Sequence, residues 1–520
     1  MATVSLGSPA GKWIMVSAIL ASAMAFIDST ALNVVLPSLQ KSLHATGADL
    51  FWLLNAYLLM LASLILIGGA LGDKLGRKKI FMAGIFVFIA GSAACGLAPN
   101  ITLLIVFRII QGIGGALMIP GSLSLISSSI NENERGKAIG TWSAITTVVT
   151  MGGPVLGGAL ADAGLWRYIF FINIPIGLAA LLILWKNVKE IKDDSKDLSL
   201  DFPGAIAIAL GLALLTFGFL RIPAIGFNNW EIYCSFGGGI LLLVAFIFIE
   251  VKSKYPMMPL HLFKNLTFSG ANLLTLFLYA GLGAGMLFLS LNLVQVQGYS
   301  QLQSGLTFLP FTVLMITIAR PAGALADKHG PRLLLIVGPA IAGAGLLILS
   351  FVKQTAGPSA YFTTFFPGVI VFGLGMSFTV APLTTAVMGS VSDHFSGTAS
   401  GVNNAISRIA NVFAYAIFGA LAVLFFSGAL SGRVETINIS PNEKHAIIAQ
   451  AADLGNAKVP VEISAGNKAI IEKFYHESFI AAYSNILKIS AGLGFLGALM
   501  AFFFIRNTVV KKGNIIVQTH

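Results

Sequence analysis

Fourteen stretches of this chain stay apolar for about twenty residues, and no other feature constrains its fold as strongly. A helix needs about 20 such residues to cross the roughly 30 Å hydrocarbon core of a bilayer. The first seven runs cover 13–36, 50–72, 80–98, 101–126, 137–160, 168–186 and 203–221. The second seven cover 230–250, 267–295, 303–326, 331–352, 360–388, 398–427 and 478–506. Of the 520 residues, 56% are apolar and only 10% charged, too few to cover soluble domains of that total length. The reading is an all-α polytopic membrane protein. The first run is too long for a cleavable signal and lacks a small-residue cleavage site, so it is expected to be the first span. Cys95 and Cys234 both fall inside spans, which argues against a disulfide framework or a zinc site.

The net charge of +11 invites a nucleic-acid reading, but its distribution opposes one. Lys and Arg concentrate in the short loops and tails on the side of the N-terminus. The short loops on the other side hold Lys41, Arg167, Arg221 and Lys353. This is the positive-inside pattern, and it predicts a multi-pass protein of the cytoplasmic (inner) membrane with both termini in the cytoplasm. The excess charge serves topology, and no nucleic-acid partner is expected.

One short segment occurs twice. Gly68 to Lys79 reads GGALGDKLGRKK and Gly323 to Arg332 reads GALADKHGPR, with Asp73 and Asp327 lying 254 positions apart. Each follows an apolar run on the basic side. A second echo pairs Gly136-Lys-Ala-Ile-Gly140 with Gly397-Thr-Ala-Ser-Gly401. Spans 1–6 and 9–14 therefore read as two parallel six-helix units with spans 7 and 8 inserted, a transporter architecture. The expected divisions are an N-terminal bundle over 1–190, two inserted helices with linkers over 191–262, and a C-terminal bundle over 263–520. The last includes an outer loop, 428–477. Within that loop Ser440-Pro-Asn-Glu443 has the form of a capping box and predicts a helix start, with Gly455 ending the helix and a second helix near 465–476.

The segment Gly69 to Lys78 resembles the turn after helix 2 in the major facilitator superfamily. FIDSTALNVVLPSL (Phe26 to Leu39) resembles the helix 1 motif of fourteen-helix drug:proton antiporters of the EmrB/QacA type. RIIQGIGGALMIP (Arg108 to Pro120) is similar to the helix 4 motif, and GGPVLGG (Gly152 to Gly158) to the helix 5 antiporter motif. WRYIFFINIPIG (Trp166 to Gly177) resembles the entry to helix 6 in the fourteen-helix branch. The resemblance implies a major facilitator fold and proton-coupled efflux of amphipathic small molecules by alternating access. It implies no enzyme chemistry, no cofactor and no metal, with a small-molecule substrate, protons and the bilayer as partners and a monomer as the working unit. The alternatives are a dedicated exporter of one metabolite, peptide or lipid, a nutrient:proton symporter, and a non-transporting sensor or membrane enzyme. No catalytic cluster of His, Ser or paired acids in one span supports the last.

Asp28 is the one carboxylate this topology puts well inside a span, and such a residue is a functional hypothesis by default. A buried carboxylate takes up a proton more readily, so it can be loaded from one side and emptied to the other. The alternative is a permanent structural ion pair. Arg108, at nearly the same depth, is the expected partner for proton coupling, unless it only bonds neighbouring carbonyls. Thr30, Asn33, Gln111 and Gln295 are the expected cavity contacts. The resemblance assigns the cytoplasmic gate to Asp73, Gly76, Arg77, Asp327 and Gly397: Asp73 would meet the helix start near Gly397, and Asp327 its counterpart near Gly136. Two tight turns anchored by basic residues are the plainer reading. Gly153, Pro154, Gly157 and Gly158 make up the antiporter motif, where Val149 replaces a further expected glycine; an ordinary packing kink is the alternative. Arg320 and Arg408 are expected to pack or gate. GSPAGK at Gly7 to Lys12 is a residue short of a phosphate-binding loop and precedes no strand.

Overall fold

The protein is represented by a computed structural model that describes residues 4–188, 190, 201–254, 256–392, 395–461, 463–506, 508–511 and 514–517. The first half comprises α1 (Pro9–Leu43), α2 (Gly47–Leu75), α3 (Arg77–Leu97), α4 (Ile101–Ser129), α5 (Glu132–Asp162), α6 (Tyr168–Phe171) and α7 (Asn173–Asn187). Two further helices follow, α8 (Phe202–Ile225) and α9 (Trp230–Lys252). The second half comprises α10 (Leu266–Gln295), α11 (Gln301–Leu306), α12 (Leu309–His329), α13 (Arg332–Ser350), α14 (Tyr361–Ser377), α15 (Val380–Gly389), α16 (Ser396–Val434), α17 (Pro441–Ala449) and α18 (Ala465–Phe504).

Among the described residues, 13 helical spans are long and apolar enough to cross a membrane. The remaining apolar run, 137–160, falls in α5, which is 31 residues long or about 46 Å at 1.5 Å per residue. Three runs are broken where the backbone loses a helical bond. Pro310 and Pro382 have no N–H to donate one turn back, so α11 gives way to α12 and α14 to α15 just before them. The third break, at Ile172 between α6 and α7, precedes Pro175 in the same way, and both elements still form one span, Tyr168–Asn187.

Capping residues set the helix starts. Ser8 accepts from Gly11 N at 3.1 Å and starts α1 at Pro9, so the GSPAGK segment is a helix cap. Thr46 with Asp49, and Ser440 with Glu443, form complete capping boxes. After α17 the chain tightens into a 3₁₀ turn over Gln450–Asn456, one residue past the expected stop at Gly455. The second loop helix is continuous with α18, as its position next to the last apolar run implied. The sequence reading contained no strand, but β-branched residues in the tail form a two-stranded antiparallel ribbon, β1 (Thr508–Lys511) with β2 (Asn514–Val517).

The helices form two six-span bundles plus the inserted pair. In the first bundle α1 packs on α4, α5 and α7, while α4 lies between α2 and α3; in the second α18 packs on α10, α13 and α16. The pair α8–α9 leans on both bundles, with α8 touching α2 and α16. Trp52 and Phe217 meet there, ring centroids 6.2 Å apart. Hereafter the side of the N-terminal tail is the tail face, and the side of the α17 loop is the far face.

The two copies of the repeated turn share a backbone reason. Gly76 and Gly330, again 254 positions apart, follow α2 and α12 with φ of 112° and 87°, which L side chains rarely adopt. Glu190 sits over the first turn, accepting from Lys78 N at 3.0 Å and Lys79 N at 3.1 Å at the start of α3.

Candidate functional site

Three of the expected residues meet in one buried network. Arg108 on α4 and Asp28 on α1 are each 1% exposed, and Arg108 Nη1 lies 2.5 Å from Asp28 Oδ2. The same Nη1 donates to Gln111 Oε1 at 2.7 Å, and Gln111 Nε2 donates to Asp28 Oδ1 at 3.0 Å. Both carboxylate oxygens are therefore occupied. The guanidinium carbon lies 4.3 Å from the centre of the Tyr57 ring and 6.0 Å from that of Phe170. Glycines let the helices approach this closely. A Cβ on Gly112 would come within 2.5 Å of Tyr57 O, and one on Gly91 within 2.8 Å of Gln111 N.

Beside the network is a cavity of about 280 Å³ between the two bundles. The first bundle contributes Ser29, Thr30 and Asn33 from α1, Leu54, Tyr57 and Leu58 from α2, Arg108, and Thr150 and Pro154 from α5. The second contributes Gly283, Met286 and Ser290 from α10, Phe308, Phe311 and Thr312 around the start of α12, and Arg408, Asn411 and Tyr415 from α16. Thr30 and Asn33 thus reach the cavity. Gln111 does not line it, because its amide is used on Asp28 and Arg108. Gln295 does not line it either. It lies at the far end of α10, where its Nε2 donates to Gln40 Oε1 at 3.2 Å. Arg408 was assigned only packing or gating from the sequence; its spacing from Asn411 and Tyr415, three and seven residues on, is the signal of a shared helix face.

Toward the far face the bundles close on one another. A Cβ on Gly158 of α5 would lie 2.4 Å from Gln301 O, and one on Gly305 of α11 2.4 Å from Pro154 O. Asp162 at the end of α5 caps α11, accepting from Gln301 N at 2.8 Å and Leu302 N at 2.9 Å. The other motif glycines face α1: Gly153 lies against Thr30 and Gly157 against Ala31. Asn456 Nδ2 of the loop after α17 donates to Gln40 Oε1 at 2.7 Å, so the loop covers the same seam.

The residues expected to form a gate are placed less completely. The side chains of Asp73 and Gly397, and of Gly136, lie outside the described residues. Arg77 Nη1 donates to Ser124 O at 3.2 Å. Asp327 Oδ1 accepts from Thr385 Oγ1 of α15 at 3.1 Å, a contact within its own bundle. Among the described residues no group of three His, Cys, Asp or Glu could hold a metal ion.

A family model described as Major Facilitator Superfamily matches residues 18–415. The chain is 28% identical over 483 residues to the tetracenomycin C resistance and export protein of Streptomyces glaucescens, covering 92% of this chain and 89% of that one. It is 31% identical over 443 residues to the multidrug resistance protein Stp of Mycobacterium tuberculosis (strain CDC 1551 / Oshkosh), covering 84% and 81%. Among solved structures, a bacterial homolog to the human lysosomal transporter Spinster, inward-facing and unoccupied, superposes with a TM-score of 0.64 at 19% identity. That match covers 95% of this chain and 98% of the other, and at such identity it speaks for the fold alone.

Proposed function

The chain belongs to the major facilitator superfamily, and from that premise we propose that it is a fourteen-helix drug:proton antiporter of the EmrB/QacA type. It exports amphipathic small molecules across the cytoplasmic membrane by alternating access, with both termini in the cytoplasm and a monomer as the working unit. The bundles over 1–190 and 263–520 rock about the cavity, and the segment 191–262 carries the inserted pair. With the far face shut, substrate enters from the tail face.

The observation that carries this reading is a carboxylate 1% exposed, held by a cation from another helix, directly beside a cavity shared by both bundles. Protonating Asp28 removes the charge that holds Arg108 and Gln111, so proton uptake changes the packing of α1 against α4. That couples one proton to a change in the wall that substrate touches. Gly153, Pro154, Gly157 and Gly158 support the exchange by letting α5 slide closely between α1 and α11. In the opposite state the tail face is latched by Asp73 at Gly397, with Arg77, Gly76 and Asp327 shaping the two turns. Export of one native compound by the same mechanism is the second reading, favoured by the name of the tetracenomycin C relative.

The test is exchange in liposomes carrying the purified full chain. An acid interior should drive accumulation of a xanthene dye, and Asp28→Asn should reduce that to background while the protein still purifies as a folded monomer. Undiminished proton-driven accumulation by the variant removes Asp28 from the mechanism.

A further inference from the structure

The cavity's charges do not cancel. Arg108 and Arg408 line it, and no carboxylate does among the described residues. Arg108 is neutralised from behind by Asp28. Arg408 has no counterpart: it forms no salt bridge among the described residues, and its Nε has no hydrogen-bond partner. An unpaired guanidinium at membrane depth is costly, and it is tolerated where it faces water or a ligand that supplies the missing charge. Around it stand hydroxyl and amide groups, Tyr415 and Asn411 on its own helix face and Ser290 on the neighbouring α10. The remaining wall is greasy, with Phe308, Phe311 and Met286 among its residues.

We propose that the substrate is an amphipathic organic anion, a molecule of a few fused rings bearing a carboxylate, sulfonate or phenolate oxygen that docks on Arg408. This rests on the exporter reading and narrows it, since a lipophilic cation would meet the uncompensated charge of Arg408 as a repulsion. The planar guanidinium fork is suited to a two-oxygen anion, and apolar rings fit the aromatic part of the wall. The charge balance has a consequence. One proton exchanged for one cation moves no net charge, whereas one proton moving in for one anion moving out transfers at least two. Transport should therefore respond to membrane potential as well as to pH difference.

Two dyes with the same xanthene and phenyl framework test this: fluorescein, an anion, and tetramethylrosamine, a cation. Fluorescence polarisation with the detergent-purified full chain should show fluorescein bound at least about tenfold more tightly, the ratio that one modest charge contact gives. Arg408→Gln should remove that preference, and Arg408→Lys should restore part of it. In liposomes, a valinomycin-set potential, positive inside and with no pH difference, should drive fluorescein in. Tighter binding of tetramethylrosamine by the wild type, no binding of fluorescein, or an equal loss of both dyes in Arg408→Gln overturns the proposal. If tetramethylrosamine exchanges for protons and Arg408→Gln leaves fluorescein unchanged, the exporter reading stands and this one falls. If fluorescein binding depends on Arg408 but neither gradient moves either dye, the anion site stands and the exporter reading falls.

Discussion

The two walls of the cavity each carry an arginine and use it in opposite ways. On the first bundle Arg108 is 1% exposed, bonded to Asp28 and Gln111 and stacked on Tyr57. On the second, Arg408 shares the cavity and has no acid to answer it among the described residues. Position along a span does not separate the two; the neighbouring helix does. α1 brings a carboxylate to α4, whereas α10 brings Gly283, Met286 and Ser290 to α16. A cation with a fixed partner can only act through that partner's proton, while a cation without one is left to the ligand. The first wall is therefore suited to coupling and the second to recognition.

The largest effect should come from breaking the paired wall. Arg108→Ala leaves Asp28 buried without its cation, a change that costs about 3–5 kcal/mol when a buried pair loses one member. The carboxylate then has no cation to hold and release, so proton-driven exchange should fall to near background. Arg108→Lys should restore part of the rate, because charge survives while the second bond of the fork is lost. Undiminished exchange in the alanine variant would make the pair structural only.

The contrast also assumes that both walls meet at a closed far face. A methyl at Gly158 would lie 2.4 Å from the backbone oxygen of Gln301, which no side-chain rotation can relieve. Gly158→Ala should therefore favour the far-face-open state by roughly tenfold, the ratio given by about 1.4 kcal/mol. Labelling of a Ser290→Cys variant by a membrane-impermeant maleimide from the far side reads this directly. An unchanged rate would show that the α5–α11 contact does not hold the seal.

The smallest effect concerns a carboxylate outside the membrane, with no salt bridge among the described residues. Asp453 lies in the far-face loop, where burial raises its carboxyl above the ordinary value, partly offset by Lys458. The docked loop thus favours the protonated form. Its stabilising contribution is complete below the ordinary carboxylate value and is lost as pH rises through the raised one. Protease cutting of the loop should quicken by a few-fold between about pH 4 and pH 7, the range above the usual carboxylate value. Asp453→Asn should flatten that dependence. A wild-type loop cut equally at both ends of the range would remove the carboxyl from its docking.

The sequence by itself determined the all-helical membrane class, because spanning requires long apolar runs and a run cannot be hidden in a chain of this composition. It also determined the repeat, since only glycine sustains the positive φ found at both Gly76 and Gly330. The exceptional buried acid was legible for a similar reason: a carboxylate amid apolar residues carries its cost on its face. What the sequence could not decide was which side chains meet. Gln295 and Asn33 look alike as polar residues in apolar runs, yet one faces the loop seam and the other the cavity. Arg108 and Arg408 look alike as well. Whether either finds a carboxylate depends on how α1, α4, α10 and α16 are rotated against each other, and residues eighty or more positions apart settle that only when the bundles pack.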